Sequence, residues 1–171
     1  MSETALARVH LSKYIIGDFI LDIGFGGTAC HPKAITLDMP IGYCPSLEGH
    51  PQILRGDAKN LNFICDNAFT TVWNSHIIED HNFETQRAAI LEWKRILKPG
   101  GHLITIAPDE AIYSAHCKAT GQPYNLAHVE PTMGLAAFNH HVIAHTGPWE
   151  AIHENPLIDT YSFHSVLRKP L

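Results

Sequence analysis

Three aspartates occupy corresponding places in the first third of the chain. Asp22, Asp38 and Asp57 each stand at or just after the end of a short apolar segment of the kind that forms a buried strand. Open α/β sheets bind ligands beyond the carboxyl ends of their parallel strands, so three such ends would bring three carboxylates to one site. Carboxylates accept hydrogen bonds from hydroxyl and amino groups and attract cations. We therefore expect these side chains to face one polar ligand.

A glycine-rich loop follows the first aspartate. The segment Gly24-Phe25-Gly26-Gly27-Thr28-Ala29 satisfies the loose pattern G-x-G-x-x-G/A directly after a predicted strand. Glycines in such a loop permit positive φ and a close approach of ligand to backbone. A carboxylate at Asp22 would attract an ammonium or sulfonium group, unless Asp22 only caps the turn, which is the alternative interpretation.

The same residues disfavour a nicotinamide-dependent oxidoreductase. Asp22 would repel the pyrophosphate of a dinucleotide, by up to roughly 4 kcal/mol for like charges about 4 Å apart. Asp38 also lies 14 residues after Gly24, fewer than the roughly 20 residues of the dinucleotide fingerprint.

The elements that must position this loop alternate between strands and helices. Apolar segments bounded by Gly or Pro predict strands at 19–23, 34–38, 52–54, 68–73 and 102–107. Helical periodicity predicts a helix over 83–97, capped by Asn82 or Asp80 and stopped by Pro99-Gly100-Gly101, and weaker helices over 110–119 and 135–145.

The end of the chain predicts a hairpin, with strands at 149–153 and 160–167 and Asn155-Pro156 in the turn. We therefore expect an α/β fold: a Rossmann-like, doubly wound, mostly parallel seven-stranded sheet with a C-terminal antiparallel hairpin.

The first crossover is short. About ten residues separate Gly24 from Ala34, close to the minimum for a parallel connection, so the first helix is expected to be shortened to about one turn. We expect the N-terminal segment, or a second copy of the chain in a homodimer, to cover the face of the sheet left exposed.

Composition narrows the classes of function. A chain of 171 residues with a net charge of −5 fits a single domain over 1–171 and does not favour nucleic-acid binding. No run of 18 apolar residues predicts a membrane span, the four cysteines form no C-x-x-C pair, and a cytoplasmic location is expected. His141 and His145 have the i, i+4 spacing of a zinc site, but we favour a polar helix face and predict no metal.

Five segments together resemble the successive motifs of class I S-adenosylmethionine-dependent methyltransferases, over about residues 17–109. The segments are Leu21-Asp22-Ile23-Gly24-Phe25-Gly26-Gly27, Thr36-Leu37-Asp38, Arg55-Gly56-Asp57-Ala58, Trp73-Asn74-Ser75-His76-Ile77-Ile78-Glu79-Asp80 and Glu92-Trp93-Lys94-Arg95-Ile96-Leu97-Lys98-Pro99-Gly100-Gly101. The chain departs from the family at Phe25, where a small residue is common, and at Asp80, where a histidine is usual.

The resemblance implies how the cofactor S-adenosylmethionine would be held. The glycine loop would bind its methionine part, and the end of the second strand would bind its ribose. The loop after the third strand would contact its adenine, and the residues after the fourth strand would contact its sulfonium. In that order the residues are Asp22, Gly24, Phe25 and Gly26; Asp38 and Met39; Asp57 and Ala58; and Asn74, Ser75 and His76.

Methyl transfer to a hydroxyl requires alignment of the acceptor and removal of a proton. We predict His76 and His128 as bases, with Asp109 and Glu110 as further candidates. The segment 108–148 is expected to bind the acceptor or act as a lid, and its shortness favours O-methylation of a small hydroxylated acceptor. The alternative is a non-catalytic S-adenosylmethionine-binding module or regulatory partner subunit.

Overall fold

The computed structural model describes residues 3–39, 53–158 and 160–171. Its central feature is a seven-stranded sheet in the order β3-β2-β1-β4-β5-β7-β6. The strands are β1 (Ile20–Ile23), β2 (Ile35–Asp38), β3 (Leu54–Arg55), β4 (Phe69–Ser75), β5 (Leu97–Pro108), β6 (Glu150–Ile158) and β7 (Ser162–Arg168). The α-helices are α1 (Glu3–Leu11), α2 (Phe83–Ile96), α3 (Glu110–Thr120) and α4 (Leu135–His141). The first five strands are parallel and the last two antiparallel, which confirms the predicted fold class.

The strand order reverses at β1, which pairs with β2 on one side and with β4 on the other. Ile23 stands opposite Leu37 of β2 and Asn74 of β4, so the carboxyl ends of these strands are level. A doubly wound sheet opens a crevice for ligands at such a switch point. The predicted glycine loop begins there.

Helix α2 covers one face of the sheet. Asn82, one of the two predicted caps, accepts a hydrogen bond from the Thr85 amide at 2.9 Å. Trp93 and Ile96 of this helix are fully buried against the sheet. The helix ends at Ile96, one residue before the predicted end, because Leu97 already pairs with Phe69 in the ladder between β5 and β4, and Pro99-Gly100-Gly101 lie within β5.

Helix α1 covers the other face. Ala7 and Leu11 are completely buried in an apolar cluster that includes Trp73 of β4 and Ile104 of β5. No helix is present between Gly24 and Ala34, only turns, so the expected one-turn helix was wrong. The sequence predicted that either the N-terminal segment or a second copy of the chain covers this face. In the structure the N-terminal segment packs on it, so the short crossover does not require a second copy.

The hairpin differs from the prediction at its turn. Asn155 and Pro156 lie within β6, at an irregularity in its pairing with β7, so their predicted place in the turn was wrong. Since β6 is the edge strand, a proline without an N–H is tolerated there.

The basic residues at the end of α2 bind within the fold. Arg95 contacts Glu92 at 2.9 Å and Asp66 at 2.6 Å, and Lys94 Nζ donates to the carbonyls of Thr146 and Pro148. These contacts join the helix to the loops around it.

Candidate cofactor and acceptor site

The glycine loop after β1 adopts a backbone that only glycine adopts readily. Gly24, Gly26 and Gly27 have φ values of 68°, 60° and 93°. A Cβ on Gly24 would also stand 2.9 Å from the side chain of Ile77, which comes from the segment after β4. Conformation and space therefore both require glycine at the first position of the motif.

Asp22 lies under this loop and is 2% exposed. Its Oδ2 accepts a hydrogen bond from the Cys30 amide at 2.5 Å, so the turn-capping interpretation describes part of its role. Burial raises the pKa of Asp22 to about 7, against the opposing effect of the Cys30 hydrogen bonds. Asp22 also lines a cavity beside the loop.

Asp38 joins the end of β2 to the glycine loop. Its two carboxylate oxygens accept hydrogen bonds from the amides of Met39, at 2.7 Å, and Gly26, at 3.3 Å. The side chain is thereby fixed at the mouth of the crevice, with Met39 44% exposed beside it.

Asp57 sits in the loop after β3. Its Oδ1 accepts a hydrogen bond from the Lys59 amide at 2.9 Å, and its Oδ2 lies 3.5 Å from Lys59 Nζ. The neighbouring Ala58 carbonyl accepts from the Trp93 indole at 2.8 Å, which anchors the loop to α2. Both residues face the crevice.

Two cavities meet at Gly24. One, of about 190 Å³, is lined by Gly24, Leu37, Asp38, Met39, Gly56, Asp57, Ala58, Lys59, Ile77, Asp80 and His81. The other, of about 330 Å³, is lined by Arg8, Asp22, Gly24, Phe25, Gly26, Thr28, Trp73, Ser75 and His76. Every predicted cofactor residue lines one or the other except Asn74, whose amide is buried and donates to β5.

His76 stands where β4 ends, with a left-handed φ of 55°. Its Nδ1 lies 3.2 Å from Glu79 Oε1, and its Nε2 lies 3.4 Å from Ser162 Oγ. Glu79 is 2% exposed, and its other oxygen has no hydrogen-bond partner among the described residues. A non-glycine residue held at positive φ is a feature of functional sites, because the backbone strain must be offset by the surrounding structure.

His128 occupies a different setting. Its Nδ1 lies 2.6 Å from Glu110 Oε1, and the other oxygen of Glu110 accepts from the Tyr124 hydroxyl at 2.6 Å. Burial lowers the pKa of His128, but Glu110, Glu79 and Asp80 outweigh burial, and the net shift is upward. His128 lines neither of the two cavities.

Several residues that line the cavities were not predicted. Arg8 reaches the glycine loop from α1, and its position there depends on tertiary packing that no local pattern indicates. Asp80 ends the motif after β4 and His81 follows it, so the position of that motif was the signal for both. Burial, followed by the charge of Glu79, raises the pKa of Asp80.

Among the residues that the structure describes, no three His, Cys, Asp or Glu side chains are placed to share a metal ion. His141 instead stacks on Phe83, with ring centroids 4.5 Å apart. None of the described helices combines the length and hydrophobicity needed to cross a bilayer.

Comparisons with known proteins agree with this geometry. Residues 41–105 match the model of a methyltransferase domain family. No curated protein matches the sequence.

Solved structures with the same fold are distant in sequence. A SAM-dependent methyltransferase from Archaeoglobus fulgidus is similar with a TM-score of 0.71 and 15% identity, covering 98% of this chain and 95% of that one. An S-adenosylmethionine-dependent methyltransferase from Mesorhizobium loti gives 0.68 and 12%, covering 96% and 98%. A complex of a methyltransferase with the Trm112 methyltransferase activator from Haloferax volcanii gives 0.68 and 15%, covering 97% and 89%.

The motif order, the match of residues 41–105 to a methyltransferase domain family and the fold shared with SAM-dependent methyltransferases agree with one another, and they support S-adenosylmethionine as the cofactor.

Proposed function

We propose that this protein methylates a hydroxyl group of a small acceptor, with His76 as the base. The observation that carries the proposal is the position of His76, which lines the cavity beside the glycine loop while its Nε2 lies 3.4 Å from Oγ of Ser162, the first residue of β7. His76 therefore lies between the cofactor crevice and the start of β7.

The cofactor crevice fits the ligand in its donor and acceptor groups. Asp38 offers carboxylate oxygens suited to the ribose hydroxyls, and the loop at Asp57 and Ala58 offers polar and apolar groups suited to adenine. When bound, S-adenosylmethionine supplies a methyl group activated by the positive charge on sulfur. The chain's own residues have to exclude water, orient the acceptor and accept a proton.

The pair of His76 and Glu79 suits proton removal. In the tautomer protonated at Nδ1, the Nδ1–H group of His76 donates a hydrogen bond to Glu79, and Nε2 keeps its lone pair. Nε2 then accepts the hydroxyl proton of the acceptor as its oxygen is methylated. Glu79 stabilises the imidazolium that results, because its carboxylate is buried and keeps its charge close to the ring.

The acceptor would lie against aromatic side chains beyond His76. Tyr161 stands edge-on to His76, with ring centroids 6.5 Å apart, and it packs against Tyr113 and His116 of α3 at 4.9 and 5.3 Å. The loop at 121–133 is held over α3 by Glu110. This compact arrangement supports the proposal that residues 108–148 receive a small molecule.

The test is a screen for formation of S-adenosylhomocysteine from S-adenosylmethionine. The panel contains small phenols and aliphatic alcohols, each paired with the amine of the same skeleton. Turnover with hydroxyl compounds and none with their amine partners is the expected result. Preference for the amines would overturn the hydroxyl specificity.

A second candidate is a module that works with a partner subunit. It is supported by the similar methyltransferase that was solved with an activator and by exposed apolar residues on the loop, with Leu126 90% and Val129 51% exposed. Binding of S-adenosylhomocysteine without turnover on any member of the panel would favour this candidate over an independent enzyme.

A further inference from the structure

We propose that Arg8, on the N-terminal helix, is the residue that binds the carboxylate of the cofactor's amino-acid part. The inference deepens the cofactor assignment and rests on it. None of the family motifs in this chain contains Arg8, which lies twelve positions before Ile20, the first residue of β1.

The helix that carries Arg8 is fixed beside the crevice. Ala7 and Leu11 of α1 are fully buried against the sheet, on the face that the short crossover after Gly24 leaves without a helix of its own. This packing brings the neighbouring Arg8 to the glycine loop, where its side chain lines the same cavity as Asp22 and Gly26. A residue remote in sequence thus becomes part of the site.

The guanidinium of Arg8 is only partly used by the protein. One terminal nitrogen donates to the Thr28 carbonyl, while Nε is buried and has no hydrogen-bond partner among the described residues. Arginine carries five N–H donors in a planar fork, and a buried donor without an acceptor is costly. A ligand carboxylate would supply acceptors in the geometry that this fork prefers.

The charges around the cavity match an α-amino acid. Arg8 and Asp22 line one cavity with opposite charges, and the charge of Arg8 acts on Asp22 by favouring its ionised form. An amino acid presents an ammonium and a carboxylate on the same carbon, so Asp22 would take the first and Arg8 the second. A purely structural Arg8 would have no reason to distinguish ligands by their carboxylate.

The experiment compares three ligands by calorimetry: S-adenosylhomocysteine, its decarboxylated analogue and 5′-methylthioadenosine, which lacks the whole amino-acid part. The Arg8→Ala variant should bind S-adenosylhomocysteine about 10- to 100-fold more weakly than the wild type, the range expected for a charged hydrogen-bond pair. Its affinities for the two ligands without a carboxylate should change by no more than about twofold. Arg8→Lys, which keeps the charge and loses the fork, should fall between.

Lys13→Ala is the matched control, because it removes one positive charge just beyond α1 from a residue that does not line the cavity. It should bind all three ligands as the wild type does. Retained binding of 5′-methylthioadenosine by Arg8→Ala shows in the same experiment that the variant is folded.

Two results would overturn the inference while leaving the cofactor assignment in place. One is equal weakening of all three ligands by Arg8→Ala, which would mean that Arg8 only anchors the helix. The other is unchanged affinity for S-adenosylhomocysteine. Failure of the wild type to bind any of the three ligands would instead overturn the cofactor assignment, and the role of Arg8 with it.

Discussion

Two histidine–glutamate pairs are chemically alike yet differently placed, one beside the cofactor crevice and the other within the segment 108–148 that is proposed to receive the acceptor. In the pair of His76 and Glu79, the histidine side chain is 26% exposed and lines the cofactor crevice. In the pair of His128 and Glu110, the histidine is 6% exposed, and Glu110 also binds Tyr124. The same two residue types can therefore move a proton where the imidazole faces a cavity, and hold a loop where it is sealed from one.

The pair of His128 and Glu110, the sealed pair, holds a loop against a helix and is called the clamp below. Glu110 lies at the start of α3, whereas Tyr124 and His128 belong to the loop that follows, so one carboxylate closes that loop onto its helix. Burial and Glu110 raise the pKa of Tyr124 to about 12, which keeps its hydroxyl protonated as a donor at neutral pH. Both oxygens of Glu110 are thus engaged in holding the loop.

The largest effect is expected for the pair of His76 and Glu79, the open pair, whose histidine faces a cavity. His76→Asn removes the base but keeps a residue that tolerates the left-handed φ of 55°, which alanine would strain. We expect kcat to fall about 10²- to 10⁴-fold, the usual contribution of a general base. Steady-state kinetics on the acceptor found in the screen would measure it. Undiminished kcat would remove His76 from the mechanism.

In the sealed pair, the same substitution should mainly lower stability rather than kcat. His128→Asn leaves the buried Glu110 without its charged partner and should lower the free energy of unfolding by about 1–3 kcal/mol. Urea denaturation would measure this loss, and kcat below the melting range should stay near the wild-type value. A large loss of kcat with unchanged stability would make His128 a base, as the sequence also allowed.

The pH dependence of the clamp follows from the raised pKa of His128. The folded state binds the proton of His128 more tightly than the unfolded state does, so the stabilisation is fully present below the ordinary histidine pKa. It is lost as the pH rises through the raised value. The stability difference between wild type and His128→Asn should therefore shrink from about pH 6 towards alkaline pH.

The sequence predicted the cofactor crevice better than the acceptor region. Asp22, Asp38 and Asp57 could be placed because each lies at or just after the end of a strand, and the ends of parallel strands meet at one edge whatever covers the sheet. The two histidines could not be told apart, because their roles depend on which faces a cavity. Arg8 was missed for a similar reason, since its place beside the glycine loop depends on the packing of α1 against residues distant in sequence.

The smallest expected effect separates cofactor binding from the chemistry of His76. Burial raises the pKa of Asp22 to about 7, so below that pH the carboxyl is largely protonated before a ligand binds. Binding an ammonium group favours the ionised form and must then release a proton, which weakens binding in acid. The affinity for S-adenosylhomocysteine should rise by up to about tenfold per pH unit as the pH approaches 7 from below. Calorimetry in buffers of different ionisation enthalpy would count the released proton.

Asp22→Asn should bind weakly with a flat profile over the same range, while His76→Asn should keep the wild-type slope. A flat profile in the wild type would mean that Asp22 is already ionised before the ligand arrives, and that the amide of Cys30 compensates for its burial more fully than the structure indicates.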